Sequence, residues 1–440
     1  MDVAKSYCSH CFERSVHVLH ERHRLQRNTY HCMSCGMRTV RCRVCSHMAT
    51  VSDTWHSELC AEHDGSIASF KRLNLQLNDL TEYEAVFKRD SVNLKRVGHV
   101  VGLAGAAAAI MVPASLLAAP AIGGALGAFM SGLSGAAATS AGLAAIGGGS
   151  IAAGGVGMAG GVAVITATGG ALGATLGGVV SNSYFGDVSG FAIEKLLPGK
   201  EPAVIVVDGF LTESVKRPDD WIDAVTKVYP SHACYYLRWE SQRLLSIGQM
   251  ALGHVVPVAS GFRTLSMAAR ASRIALGKLS PALGGLQLIQ LANNPWHTAM
   301  VKAQQTGVLL ADLISRTQSQ YILCGHSLGA RVINYALQTL ATREGQPRVL
   351  RAHLLGGAVG SRLANWEKAC KAVEGGIVNY HSSNDQVLQL AYAVGTGFQS
   401  SPIGRNPITD VDHAIQNVDV SSAVDGHTKY KRAFHGFVVH

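Results

Sequence analysis

The pattern of apolar and polar positions divides the chain into stretches of different kinds. From about Tyr184 onward, short apolar runs alternate with longer segments of helical periodicity. The runs 203–207, 233–239, 320–324, 349–355, 376–380 and 413–420 predict strands. Segments 218–228, 295–315, 328–340, 363–373 and 386–394 predict helices. Strands alternating with helices imply the α/β class, a mostly parallel sheet with helices on both faces.

The middle of the chain reads differently. Residues 97–186 contain no Asp, Glu, Lys or Arg, and Ala and Gly dominate them. Small residues recur at helical spacing, as in Gly157, Gly161, Gly169, Gly173 and Gly177. Such spacing lets helices approach closely, as in Gly-x-x-x-Gly packing within membranes. A span needs about 20 apolar residues, so the segment has room for two to four spans or a hairpin. Pro113 and Pro120 would interrupt it early. We expect a membrane-associating helical segment; a buried Gly/Ala bundle or a linker is the alternative.

Ahead of it, Leu73, Leu77, Leu80, Val86 and Phe87 fall near helical spacing and predict a helical connector over 67–96. Residues 1–66 are rich in Cys, His and Arg. The expected domains are therefore 1–66, 67–96, 97–186 and 187–440.

Composition sharpens this picture. Apolar residues make up 48% of the chain and charged ones 15%, against about 25% charged in typical soluble proteins. The net charge of +9 is dispersed: 14 Lys/Arg face 11 Asp/Glu in residues 1–96, and 24 face 18 beyond. With no concentrated basic stripe, nucleic acid is a poor partner, and anionic lipid headgroups suit the chain at least as well. Basic residues just before Val97 predict a cytosolic N-terminal side, and an even number of spans would leave the C-terminal domain there too. Met1 to Lys5 open with no apolar run, so no classical secretory signal is expected.

The sharpest chemical signal is Gly325-His326-Ser327-Leu328-Gly329. An apolar run precedes it and a good helix former follows. That strand–turn–helix context is the one a nucleophile elbow requires. Glycines sit where a Cβ would clash, and Ser327 is thrust above the carboxyl end of the sheet. A serine needs a base, and in α/β-hydrolases the partners follow in the order Ser, acid, His. The best-placed acid is Asp385, on a loop after the strand at 376–380; it could equally cap the next helix. Asp410, Asp412, Asp419 and Asp425 are the other candidates. The best-placed base is His427, with His413, His435 and His440 behind it. Oxyanion donors are expected from the backbone of Leu328 and of Phe210, after the strand at 203–207.

Several of these pieces occur together elsewhere. Val-Val-Asp-Gly-Phe-Leu-Thr-Glu at 206–213, Leu-Arg-Trp-Glu-Ser at 237–241 and Gly-His-Ser-Leu-Gly-Ala-Arg-Val-Ile at 325–333 are three of them. Leu-Leu-Gly-Gly-Ala-Val at 354–359, Ser-Asn-Asp-Gln-Val-Leu at 383–388 and Gly-His-Thr-Lys-Tyr at 426–430 complete the set. In these, residues 98–440 resemble the transmembrane and coiled-coil domain-containing protein 4 family of α/β-hydrolases. The resemblance implies a Ser327–Asp385–His427 triad and a membrane-associated, lipase-like role. The N-terminal module lies outside it.

That module carries seven of the ten cysteines. Cys8/Cys11, Cys32/Cys35, Cys42/Cys45 and Cys60/His63 form four pairs, each with two intervening residues. Such knuckles let two side chains reach one tetrahedral Zn²⁺. Eight ligands suffice for two structural ions. The pairing could be sequential, one with two and three with four, or cross-braced, one with three and two with four. The module's expected job is docking to a membrane or a protein partner. No catalytic cofactor is expected.

These observations predict a membrane-associated serine hydrolase that cleaves carboxylic esters of lipids. A zinc-finger membrane-tethered adaptor with an inactive hydrolase fold, and a lipase-type toxin, are the alternatives.

Overall fold

In the computed structural model, the described residues are 2–24, 27–51, 58–63, 67–88, 190–209, 218–239, 295–342, 345, 347–361, 363–392, 401–409 and 414–439. The chain divides into two units. One comprises Met1–Asp187 with the short pieces Asp312–Gln318 and Thr342–Glu344; the other holds the remainder. The uncharged segment 97–186 lies outside the described residues. Among the described residues, no helix is long and apolar enough to cross a membrane.

The N-terminal unit contains an antiparallel sheet of five consecutive strands: β1 (Val3–Tyr7), β2 (Arg14–Glu21), β3 (Thr29–Cys32), β4 (Arg38–Arg41) and β5 (Met48–Thr50). In β2, Ser15 and His17 are buried while Arg14 and Val16 are exposed, as expected of a sheet with one covered face. His17 Nδ1 meets Thr39 Oγ1 at 3.0 Å on that face.

The helix predicted over 67–96 is a correction. Residues 67–88 instead form 3₁₀ turns at Phe70–Arg72 and Leu80–Tyr83 and a single α turn, α1 (Glu84–Phe87); residues 89–96 are not described. Tertiary bonds replace the helical ladder. Leu77 N–H donates to Arg316 O at 2.8 Å, and Arg316 Nη1 donates to Leu73 O at 2.8 Å. Asp79 caps the second turn through Thr81 N–H. The leucines are buried at their predicted spacing without a continuous helix beneath them.

The C-terminal unit is built on seven strands: β6 (Ala192–Leu197), β7 (Lys200–Val207), β8 (His232–Arg238), β9 (Tyr321–His326), β10 (Val349–Leu355), β11 (Ile377–His381) and β12 (Ile415–Asp419). They pair in the order β12-β11-β10-β9-β7-β8-β6. All neighbours are parallel except the edge pair β6–β8. Val204 to Val207 and all of β9 are buried, as central parallel strands covered on both faces must be. The helices are α2 (Asp219–Val228), α3 (Pro295–Ser315), α4 (Leu328–Leu340), α5 (Leu363–Cys370) and α6 (Tyr430–Ala433). The segment at 386–394 yields a π-helical turn, Leu388–Tyr392, with 393 and 394 outside the described residues.

The strand order sets where a site can form. From β7 the chain proceeds to β8 on one side, and from β9 to β10 on the other. The crevice above the carboxyl ends of β7 and β9 is thus the switch point, where open α/β sheets bind ligands.

Candidate active site and candidate metal centres

Ser327 links β9 to α4 with φ 57° and ψ −120°. A non-glycine residue in that region is strained by on the order of 1–3 kcal/mol, and such strain persists only where surroundings enforce it. They do so here. Ser327 N–H donates to Leu355 O at 3.1 Å, and Ser327 O accepts from Ala358 N–H at 3.0 Å. The flanking glycines are sterically required. A Cβ on Gly325 would lie 2.7 Å from Ala330 N, and one on Gly329 would lie 2.1 Å from Val207 O. Helix α4 can therefore start directly against the end of β7.

The loop after β7 passes equally close. A Cβ on Gly209 would lie 2.5 Å from Ser327 Cβ, 2.8 Å from Ser327 Oγ and 2.9 Å from Leu328 N. The backbone of Gly209 and the first amide of α4 thus border the predicted nucleophile. Phe210, the predicted second donor, lies outside the described residues.

Asp385 and His427 come together. His427 Nδ1 donates to Asp385 Oδ2 at 2.7 Å, with both side chains buried. Asp385 Oδ1 also accepts Leu388 N–H at 3.0 Å, so it serves as cap and partner at once. The loops carrying the two residues are tied to each other: Ser382 Oγ donates to Val424 O at 2.7 Å, and Asn384 Nδ2 donates to Ser421 O at 2.8 Å. A carboxylate on Nδ1–H leaves Nε2 of His427 with its lone pair, the form a general base needs.

His326, one residue before Ser327, reaches the same loop. Its Nε2–H donates to His427 O at 2.8 Å, and the two rings are 4.7 Å apart. Burial, with the neighbouring His427 and Lys431, drives the His326 imidazole well below its usual range. The ring is therefore neutral, consistent with an Nε2 donor and an Nδ1 left as a lone-pair nitrogen.

The other candidates fare differently. Asp419 accepts the amide and hydroxyl of Ser421, which hold its carboxyl below the usual range. Asp425 and His435 are exposed. Asp410, Asp412, His413 and His440 lie outside the described residues.

A buried polar cluster behind the site was not anticipated. Asp208 Oδ1 accepts from Trp221 Nε1 at 2.8 Å and Lys431 Nζ at 2.9 Å, and Oδ2 accepts from Tyr236 Oη at 3.1 Å. Its carbonyl accepts from Trp239 Nε1 at 3.0 Å. Lys431 also pairs with Asp220 and sits 5.4 Å over the Trp221 ring. Burial pushes the Asp208 carboxyl up, and the Lys431 charge opposes it. A clue was present: an acid ending a fully apolar strand must find partners when buried.

The N-terminal unit brings its predicted ligands into two groups of four that could hold a metal ion. Cys8, Cys11, Cys32 and Cys35 form one; Cys42, Cys45, Cys60 and His63 form the other. The pairing is sequential. Within each group the ligand atoms lie within 4.8 Å of one another. Cys8–Cys35 and Cys11–Cys32 sulfurs are each 3.9 Å apart, close to the edge of a tetrahedron with Zn–S of about 2.3 Å. Those separations exclude disulfides, whose S–S bond is about 2.05 Å. In the second group His63 presents Nδ1, 3.1 Å from Cys60 Sγ and 3.8 Å from Cys42 Sγ. Amides of His10, Val44 and His47 point at the sulfurs of Cys8, Cys42 and Cys45, as suits thiolates. The donor sets fit zinc.

Taken together, this is a two-unit protein: a cysteine-rich module and a mixed α/β sheet with a strained serine turn at its switch point. The chain belongs to the family described as "Protein of unknown function (DUF726)", whose model matches residues 93–439. It is 29% identical over 281 residues to an uncharacterized membrane protein of Caenorhabditis elegans, covering 62% of this chain and 45% of that one. It is 27% identical to the "probable lipase MIL1" of Saccharomyces cerevisiae, covering 62% and 26%. It is 30% identical to the transmembrane and coiled-coil domain-containing protein STS1 of Oryza sativa, covering 64% and 43%. The chain spans less than half the length of these relatives. Among solved structures, a poly(3-hydroxybutyrate) depolymerase from Bordetella parapertussis matches with a TM-score of 0.24 at 12% identity, over 56% of this chain and 83% of that one. That likeness is too loose to bear on fold or function.

Proposed function

We propose that residues 187–440 form an α/β-hydrolase domain and that the protein is a membrane-associated serine hydrolase cleaving carboxylic esters of lipids. The observation that carries this reading is the Asp385–His427 hydrogen bond of 2.7 Å at the same sheet end as Ser327 on its strained turn. The chain order Ser327, Asp385, His427 is the one α/β-hydrolases use.

In this mechanism His427 Nε2 takes the Ser327 proton as Oγ attacks the ester carbonyl, and Asp385 holds the imidazole and the imidazolium that forms. Backbone N–H groups of Leu328 and Phe210 receive the oxyanion. The alcohol leaves with the proton from His427. Water then attacks the acyl-enzyme with His427 again as base, releasing the acid and Ser327.

The lipid assignment rests on the uncharged segment 97–186 and on the relatives' names, a probable lipase and a membrane protein among them. We assign 97–186 to membrane association, with both flanking regions on the cytoplasmic side and 67–96 as the connector. Zinc in the two Cys-rich groups would be structural, cross-linking the module without entering the chemistry.

The test is hydrolysis of phospholipids, neutral glycerides and short p-nitrophenyl esters in detergent micelles by full-length wild type and Ser327→Ala. Fatty acid release that disappears in the variant establishes the activity, and the preferred substrate defines its class. Release from no substrate, together with no fluorophosphonate labelling of Ser327 in folded protein, would overturn the reading in favour of an adaptor built on the metal-binding module.

A further inference from the structure

His326 closes β9 and directly precedes Ser327. It is a buried histidine to which the reaction proposed above gives no task. Its surroundings fix its place. The residue pairs with Leu355 of β10 inside the parallel sheet. Its ring centroid lies 5.8 Å from that of Tyr430. Tyr430 is itself held. Its Oη donates to Gly404 O at 3.0 Å, and its ring passes so close to Gly356 that a Cβ there would lie 2.6 Å from Cε2. A side chain on a central strand and against such a wall has little rotamer freedom.

What this fixed ring holds is the main chain of His427. Nε2–H of His326 donates to His427 O at 2.8 Å, and among the described residues no backbone N–H donates to that carbonyl. His427 is buried, so its carbonyl needs the partner. The tautomer follows from the other ring nitrogen. Nδ1 of His326 is buried with no partner. A proton there would be an orphaned donor, and Nε2 would face the carbonyl lone pair to lone pair. The ring also stays neutral, because burial and the nearby His427 and Lys431 disfavour its protonation. A second cation centred 4.7 Å from the His427 ring would oppose the imidazolium that the base must become; a neutral ring does not.

His427 is thus held at two points. Asp385 Oδ2 accepts Nδ1–H of its ring at 2.7 Å, and His326 grips the backbone from which the ring springs. We propose that His326 is a positioning residue for the base of the proposed hydrolase site. It ties the main chain of His427 to the strand end that presents Ser327, so that nucleophile and base keep one register. The assignment rests on the serine hydrolase reading. His326 takes no proton in this scheme and acts only through His427. It is one peptide bond from the nucleophile and one hydrogen bond from the backbone of the base, a direct bridge between them.

Two variants of the full chain separate the hydrogen bond from the packing. His326→Phe keeps a ring against Tyr430 and loses the donor; His326→Gln loses the ring and keeps a donor. The first readout is the rate at which a fluorophosphonate labels Ser327, which depends on His427 as base. His326→Phe should label about 10²-fold more slowly, the cost of a base displaced by about 1 Å. His326→Gln should stay within a few-fold of wild type, a rescue that loss of packing alone would not allow. The second readout is hydrogen exchange in the peptide that carries His427, which should speed up in His326→Phe and not in His326→Gln. The third needs no variant to fold: histidine-selective nitrogen NMR of wild type should show His326 protonated at Nε2 and bare at Nδ1. Labelling of His326→Phe at the wild-type rate, the reverse order of the two variants, unchanged exchange in His326→Phe, or a bare Nε2 would each overturn the proposal. No labelling of wild type would instead overturn the hydrolase reading and with it the role of base, while exchange and NMR would still decide whether His326 holds His427.

Discussion

Lys431 Nζ lies 2.9 Å from Asp208 Oδ1, with both side chains about 95% buried. The pair joins the residue before Gly209, whose backbone borders Ser327, to the helix that begins three residues after His427. It thus ties together two loops that the proposed reaction needs in register. Lys431→Met would leave Asp208 as a buried carboxylate with only Trp221 and Tyr236 as side-chain donors. Removing one partner of a buried pair costs on the order of 3–5 kcal/mol. We expect a matching loss of stability by denaturant unfolding and a fall in kcat. The double variant Asp208→Asn/Lys431→Met should recover part of both. Additive losses in the double variant would show that the two residues are not coupled.

Gly209→Ala tests the approach of the β7 loop more directly. Its Cβ would meet Ser327 Cβ at 2.5 Å and Oγ at 2.8 Å, so either the loop or the serine must move. Since the loop leads to the proposed oxyanion donor, kcat should fall by about 10²–10³ while Tm changes little. Fluorophosphonate labelling at the wild-type rate would show that the loop does not shape the site.

Local order in the sequence carried some features and hid others. The turn at Ser327 was legible because an apolar strand, two glycines and a helix stand around it in strict order, and the Asp385–His427 hydrogen bond joins two residues that chain order and strand ends had singled out. The central strands were legible as unbroken apolar runs. β6 was not: at the sheet edge its Glu194 and Lys195 face solvent, so the pattern never resembles a buried strand. The N-terminal strands are short and one face holds Ser15, His17 and Thr39 rather than an apolar row, which erases alternation. The helix expected around Leu73 and Leu77 lost to bonds from Arg316, and the Asp208–Lys431 pair spans 223 positions. Partners that distant cannot be found from local pattern alone.

His326 supplies a pH dependence whose sign can be worked out. Its folded-state pKa is depressed well below the usual value, so the unfolded chain takes up the proton first. Its contribution to stability is complete above the unfolded pKa of about 6.5 and is lost as pH falls below it, by up to about 1.4 kcal/mol per pH unit. His326→Gln keeps a donor for the His427 carbonyl and removes the titration. The melting temperature of wild type should therefore fall more steeply than that of His326→Gln between pH 7 and pH 5. Parallel curves would show that His326 does not carry this dependence.

The two metal groups can be separated by a pair of substitutions. With sequential pairing, Cys11 and Cys32 serve the same ion, their sulfurs 3.9 Å apart, while Cys42, Cys45, Cys60 and His63 stand as an independent set. Wild type should bind two zinc ions. Cys11→Ser/Cys32→Ser should cripple only the first group and retain one ion of high affinity, measured by metal analysis after dialysis against a weak chelator. In a cross-braced module the same two residues would belong to different sites, and both ions would be lost together. The remaining site should bind Co²⁺ with the absorption of a three-thiolate, one-imidazole centre, because His63 presents Nδ1 to the sulfurs of Cys60 and Cys42. Adding His63→Ala should then abolish that absorption. Persistence of the cobalt band in this triple variant would mean that another residue completes the second group.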